Sequence, residues 1–139
     1  MAQTKPLESS TSPVNIGRVV KDGHERILAL FHLYLGSPAD SRKAIVEQIL
    51  HQLASHLELE EGLLFPEIRK SGPQGWKLVE AAELEHEEVK NMIIELQQSE
   101  ADDDQTLDEF FEDMMQSVRT LFMTEERDLL SLIDRSLDA

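Results

Sequence analysis

The segment 49-ILHQLASHLELEEGLL-64 decides the fold of this chain. Its apolar residues recur every three or four positions, which is the spacing of one face of an α-helix. Two ionisable residues share that face, because a four-residue spacing stacks His56 and Glu60 one helical turn apart. The segment therefore predicts a helix that directs an imidazole and a carboxylate into the protein core.

Three further segments show the same helical spacing, and short interruptions rich in Gly, Pro, Ser or Asp separate them. The predicted helices cover about residues 15–35, 40–70, 74–98 and 106–137. A capping box of Thr106 and Glu109 opens the last helix. Because such short connections force consecutive helices to run antiparallel, we predict an all-α fold, an antiparallel up-down-up-down four-helix bundle.

The composition fits one such domain with one core, since the chain has 139 residues, of which 40% are hydrophobic. We expect a flexible N-terminal tail over residues 1–13 and the bundle over residues 14–139. No apolar stretch approaches the roughly 20 residues of a membrane span, and the N-terminus lacks a signal-peptide core, so we expect a cytoplasmic protein. A formal net charge of -15 argues against nucleic acid and anionic membranes as partners.

Each predicted helix has an apolar face that ionisable residues interrupt. These residues are His24 in the first helix, His56 and Glu60 in the second, His86 in the third and Glu125 in the fourth. Burying such groups costs several kcal/mol unless they are paired, hydrogen-bonded or bound to a metal, by an order-of-magnitude estimate. The five residues therefore need a shared explanation, whereas His32 and His51 point away from these faces and are predicted to lie on the surface.

The spacing of these residues about the turns indicates that they share one layer of the bundle. In an antiparallel pair, residues equidistant from the connecting turn lie at the same height. The midpoint between His24 and the His56–Glu60 pair falls near residue 41, close to the first turn, and the midpoint between that pair and His86 falls on Gly72. The midpoint between His86 and Glu125 falls near residue 105, at the end of the acidic connection.

Histidines and carboxylates in the middle of a helical bundle are the ligands of non-haem iron and manganese sites. The chain has no cysteine, so thiolate ligation is excluded, although zinc remains chemically possible. A polar network in which the histidines and glutamates satisfy one another without metal is the alternative.

Three motifs resemble the hemerythrin HHE cation-binding family. They are Asp22-Gly23-His24-Glu25, the run His56-Leu-Glu-Leu-Glu60-Glu61-Gly-Leu-Leu-Phe65-Pro66, and Glu85-His86-Glu87-Glu88. The resemblance covers about residues 14–135 and implies a four-helix bundle around two irons with a bridging carboxylate. Carried over residue by residue, it implies His24, His56, His86 and Glu60 as metal ligands.

The sequence departs from the family pattern at two places. Leu121 stands where the family usually has a further histidine on the last helix, and Ala82 and Lys90 occupy the candidate positions for a second histidine on the third helix. The acidic ligand of the last helix is either Glu125 or Glu126. The site therefore looks depleted, and it could hold one iron, two irons or none.

The resemblance implies a module that binds or senses dioxygen, nitric oxide or iron, and the sequence identifies no protein partner. We expect no catalytic residues, since nothing in the sequence identifies a substrate. An oxidase or peroxidase activity at the iron is one alternative. The other is a degenerate bundle without metal that serves as an interaction or structural module, which the missing histidine at Leu121 favours.

Overall fold

The computed structural model describes residues 13–99 and 104–138, and within these ranges the chain is helical and contains no strand. Helix α1 is Pro13–Leu35 and helix α3 is Pro73–Gln98. Helix α2 is a continuous rod in three parts, Ala39–Leu59, Glu60–Leu64 and Phe65–Arg69. Helix α4 is also continuous, with the parts Asp104–Thr124, Glu125–Leu130 and Ser131–Asp138. The prediction of an all-α fold is confirmed for the described residues.

Glycine and proline end the helices close to the predicted positions. After α2, Gly72 has a φ of 91°, a left-handed conformation that glycine adopts without strain. Pro73 then opens α3. Proline is tolerated there because a backbone N–H at the first position of a helix has no partner within the helix. Helix α4 begins at Asp104, two residues before the Thr106 start that the capping box predicted.

The middle parts of α2 and α4 are π-helical, which the sequence did not predict. In α2 the backbone N–H of Phe65 donates to the carbonyl of Glu60, five residues earlier instead of four. The corresponding part of α4 is Glu125–Leu130. Such wide turns are rare and occur frequently at functional sites. Each one begins at a glutamate that the sequence analysis placed in the buried layer.

Two apolar clusters form the core and lie on either side of that layer along the helices. The first takes residues C-terminal to His24 in α1, such as Ile27 and Phe31, and packs them with buried residues of the other three helices. The second takes residues N-terminal to His24, Ile16 and Val20, and packs them with the opposite ends of the other helices. The polar layer is thus enclosed by hydrophobic side chains along the bundle.

The tail predicted over residues 1–13 lies outside the described residues, apart from Pro13, which opens α1. Most of the acidic connection between α3 and α4 lies outside them as well. None of the helices described here combines the length and the apolar character that crossing a membrane requires.

Candidate metal centre

Five ionisable side chains meet in the middle of the bundle, and they are the residues that the interrupted apolar faces predicted. They are His24, His56, Glu60, His86 and Glu125. Their exposed fractions are 0%, 7%, 0%, 1% and 1%, and among the described residues no other histidine, acidic or basic side chain is buried. His32 and His51 are exposed, as predicted. The interruption of an apolar face therefore separated buried histidines from surface histidines correctly.

Glu60 lies at the centre of the cluster and contacts all three buried histidines. Its Oε2 atom is 3.0 Å from Nε2 of His24 and 2.7 Å from Nε2 of His56. Its Oε1 atom is 3.0 Å from Nε2 of His86 but forms no hydrogen bond there, so this buried oxygen has no hydrogen-bond partner. The two oxygens of one carboxylate thus face different histidines.

Glu125 repeats this arrangement from the opposite helix. Its Oε1 is 3.1 Å from Nε2 of His24, and its Oε2 is 2.9 Å from Nε2 of His86. Ligand atoms within 4.8 Å of one another form two groups, His24 with His56 and Glu60, and Glu60 with His86 and Glu125. The two groups share Glu60, so this arrangement has the donors for two adjacent cations.

Histidines and carboxylates of the cluster stabilise each other's charged forms, whereas the two carboxylates oppose each other. Burial lowers the pKa of His24, but its contacts with Glu125, Glu60 and Glu126 outweigh burial and raise that pKa to about 10. The same opposition of burial to Glu125 and Glu60 raises the pKa of His86 to about 10. Burial favours the neutral form of Glu60, yet the histidines hold its pKa well below the ordinary value. Burial and the adjacent charge of Glu60 raise the pKa of Glu125 to about 7.

These shifts show what the layer favours chemically. Two carboxylates in a water-poor core attract cations, and in the metal-free protein the raised pKa values of His24 and His86 favour protonated, positively charged rings beside them. A metal ion needs the same nitrogens in their neutral form, so metal binding would release those protons. The layer is therefore built for positive charge.

The π-helical parts of α2 and α4 coincide with the two central carboxylates. Glu60 begins the π-helical part of α2 and Glu125 begins that of α4. Because π-helical turns inside α-helices are frequent at functional sites, their position at both carboxylates supports a functional role for the layer. The sequence analysis found both glutamates but assumed regular helices.

The outer nitrogen of His24 contacts Glu126, the second acidic residue that the sequence analysis proposed for the last helix. Oε2 of Glu126 is 2.7 Å from Nδ1 of His24, and the Glu126 side chain is 42% exposed. Glu125 instead faces Nε2, on the inner side of the same ring. Phe122 stacks on the His24 ring with centroids 3.9 Å apart and an interplanar angle of 13°. Glu126 and Phe122 therefore fix the orientation of this imidazole from outside the cluster.

The outer nitrogen of His86 contacts Glu61, which follows Glu60 in the second family motif. Oε2 of Glu61 is 2.9 Å from Nδ1 of His86. Lys90 in turn contacts Glu61, with Nζ 2.8 Å from Oε1 and 2.7 Å from Oε2. Burial favours the neutral form of Glu61, but Lys90 and His86 lower its pKa below the ordinary value. Glu61 is thus an anionic partner on the outer side of His86.

Close approach of α1 to α2 depends on Gly23. A Cβ atom at this position would lie 2.3 Å from both Cε1 and Nδ1 of His56, which real side chains essentially never tolerate. The glycine beside His24 therefore leaves the space that the His56 imidazole occupies. The sequence analysis used this glycine only as part of a motif and did not identify its role.

The positions at which the sequence departs from the family pattern have other roles. Leu121 is 1% exposed and belongs to the first apolar cluster, whereas Ala82 is 4% exposed and belongs to the second. Lys90 lies against Glu61. Apolar packing and an ion pair therefore occupy the places where further imidazoles were expected.

Comparison with known proteins assigns the chain to a family. The family model described as Hemerythrin HHE cation binding domain matches residues 15–133. No curated protein and no solved structure matches the chain significantly. The matched range spans the four helices and includes all five residues of the buried cluster. This chain belongs to the hemerythrin HHE cation-binding domain family.

Proposed function

We propose that this chain binds non-haem iron and that Glu60 and Glu125 would each supply oxygens to two metal positions. The observation that carries the proposal is the orientation of these carboxylates, since each directs one oxygen towards His24 and the other towards His86. Oε1 of Glu60 is also buried without a hydrogen-bond partner. An unsatisfied buried oxygen is costly, and a cation beside it would remove that cost.

The donor types of the cluster fit this metal. Imidazole nitrogens and carboxylate oxygens without thiolates are the ligands of non-haem iron, and the chain contains no cysteine. Partners on the outer nitrogens also fit, because histidines that bind a metal usually donate their other N–H to a carboxylate, a carbonyl or water. His24 has Glu126 in this role and His86 has Glu61.

The two proposed metal positions are unequal. One would be served by His24, His56 and one oxygen each from Glu60 and Glu125. The other is served by His86 and the two remaining oxygens, because Leu121 brings no imidazole to that side. We therefore expect one strongly bound ion and one weakly bound ion. This difference is specific to the residues of this chain.

Reversible binding or sensing of dioxygen, nitric oxide or iron is the role that we propose, and not enzymatic turnover. Bound iron supplies redox chemistry and affinity for small diatomic ligands. The five side chains are at most 7% exposed, so the surrounding residues exclude bulk water and large molecules from the layer. Turnover of hydrogen peroxide by the iron-loaded protein, well above that of a His56→Ala variant, would contradict this choice and favour an enzyme.

A metal-free bundle that acts as an interaction or structural module is the second candidate. The observation that favours it is the network in which the buried histidines and glutamates already contact one another at 2.7–3.1 Å. If the network is purely structural, replacing it by apolar residues would leave stability unchanged or increase it. His86→Leu tests this, because the metal-free candidate predicts that the substitution changes thermal stability by the same amount with and without iron.

Elemental analysis tests the proposal directly. The purified protein would be reconstituted with ferrous iron under anaerobic conditions, desalted and compared with a Glu60→Gln variant treated in the same way. We expect retained iron in the wild-type chain and loss of both ions in the variant, because Glu60 serves both positions. Wild-type protein that stays folded but retains no iron would overturn the proposal.

The up-down-up-down order of the helices is part of the same proposal. It is supported by the two core clusters, which take the start of α1 together with the end of α2, and the end of α1 together with the start of α2. Nuclear Overhauser contacts from Val20 to the Leu64–Ile68 end of α2 would test the arrangement. Their absence from a folded sample would contradict it.

A further inference from the structure

The half of the cluster that contains His86 has an outer partner held in place by a lysine. Glu61 and Lys90 lie on different helices, α2 and α3, and their side chains are 30% and 36% exposed. The ammonium group of Lys90 contacts both oxygens of Glu61, at 2.8 Å and 2.7 Å. One of these oxygens is 2.9 Å from Nδ1 of His86. The result is a chain of contacts from the protein surface to a buried imidazole.

We propose that Lys90 and Glu61 form a positioning pair for the metal position at His86. Lys90 holds Glu61 on the outer side of the imidazole, and Glu61 accepts the N–H of Nδ1, so Nε2 stays directed at Glu60 and Glu125. The inference rests on the proposed function, because it concerns the weaker of the two metal positions. Lys90 would thus orient a metal-binding histidine through Glu61, although it lies partly exposed at the protein surface.

The weak position needs such a pair more than the strong position does. Its histidine is the only imidazole on that side, since Leu121 is apolar, so any rotation of His86 removes one of only three donors. Glu61 is partly exposed, and a free carboxylate there would exchange its contact with His86 for contacts with water. Fixing both oxygens of Glu61 with one ammonium group restricts that exchange and preserves the ring orientation.

The direction in which a Lys90 substitution changes metal affinity distinguishes this role from simple electrostatic repulsion. Removing the positive charge of Lys90 near a cation site should strengthen metal binding if only Coulomb repulsion matters. The positioning role predicts the opposite, a weaker second ion, because Glu61 and then His86 lose their fixed orientation. Loss of an outer partner of this kind typically reduces metal affinity about 10- to 100-fold, and we expect about tenfold for the indirect effect of Lys90.

The experiment is an anaerobic titration of the full chain with Co²⁺, followed by visible absorption and calorimetry. We expect two binding steps in the wild type. Lys90→Gln should weaken the second step about tenfold and leave the first unchanged, and Lys90→Arg should restore it. Lys77→Gln is the matched control, since it removes the same charge from an exposed position of α3.

A double variant tests whether Lys90 acts through Glu61. If it does, Glu61→Gln with Lys90→Gln should bind the second ion no more weakly than Glu61→Gln alone. Circular dichroism checks that each variant is folded, and the rescue by Lys90→Arg keeps the test informative if Lys90→Gln is less stable. Additive losses in the double variant would contradict the positioning role.

The outcomes distinguish this inference from the proposed function. A second step that is unchanged or stronger in Lys90→Gln, while the wild type binds two ions, overturns the positioning pair alone. A wild-type chain that binds a single ion also overturns the pair but leaves metal binding standing. A wild-type chain that binds no Co²⁺ overturns both.

Discussion

Gly23→Ala should disturb the metal centre without replacing any of its ionisable residues. The added Cβ would lie 2.3 Å from two atoms of the His56 ring, and ordinary contacts begin at 3.4 Å, so the ring must move by about 1 Å. Overpacking of this kind costs about 1–3 kcal/mol of stability. Alanine offsets part of that cost, because it is about 1 kcal/mol better than glycine inside a helix.

Gly17→Ala is the matched control on the same helix. A Cβ at Gly17 meets nothing within 4 Å, so this variant should gain about 0.5–1 kcal/mol of unfolding free energy. Urea denaturation of the metal-free proteins should therefore place Gly23→Ala about 1–3 kcal/mol below Gly17→Ala. A displacement of about 1 Å at a ligand should also lower the affinity for the first ion, by up to about 100-fold.

The stability and affinity of the two alanine variants decide whether this reasoning is correct. If Gly23→Ala matches Gly17→Ala in both the free energy of unfolding and the affinity for the first ion, the close approach of α1 to His56 has no consequence. The role assigned to Gly23 would then be wrong. A loss of affinity confined to Gly23→Ala would support it.

Three further predictions concern the same layer. In the metal-free protein, the raised pKa values of His24 and His86 contribute stability that is complete below pH 6.5 and is lost as the pH rises towards about 10. The urea midpoint of unfolding should therefore fall between these two pH values. A midpoint that does not change with pH would contradict the charged network. Glu60→Gln removes the anion that the three histidines share and should destabilise the metal-free protein by about 3–5 kcal/mol in chemical denaturation, whereas an unchanged midpoint would argue against a strongly coupled cluster. Leu121→His should strengthen binding of the second ion in a Co²⁺ titration while lowering the stability of the metal-free protein, and the idea of a depleted position fails if the second step is unaffected.

The helices and their ends were largely predictable because local sequence determines them. Apolar spacing fixed the four helices, and glycine with proline fixed the turns, as at Gly72 and Pro73. The two π-helical parts were not predictable, since a wide turn depends on how α2 and α4 direct Glu60 and Glu125 into the layer. No single-helix pattern distinguishes such a turn from a regular α-helix.

The buried cluster was predictable because buried charged residues are rare and interrupt the apolar pattern of a helix. Each of its five members interrupts an otherwise apolar face, whereas the exposed His32 and His51 do not. The contact of Glu126 with the outer nitrogen of His24 was not predictable, because it depends on how α4 packs against α1, which the spacing within one helix does not determine. Glu61 and Lys90 were also missed as a pair, since their contact joins two helices.

Anomalous diffraction at the iron absorption edge, from crystals of the ferrous-reconstituted protein, tests the central claim most directly. The account predicts two peaks that share Glu60 and Glu125, a strong one beside His24 and His56 and a weaker one beside His86. An absence of peaks, in crystals where the histidines and glutamates contact one another as a closed network, would contradict it.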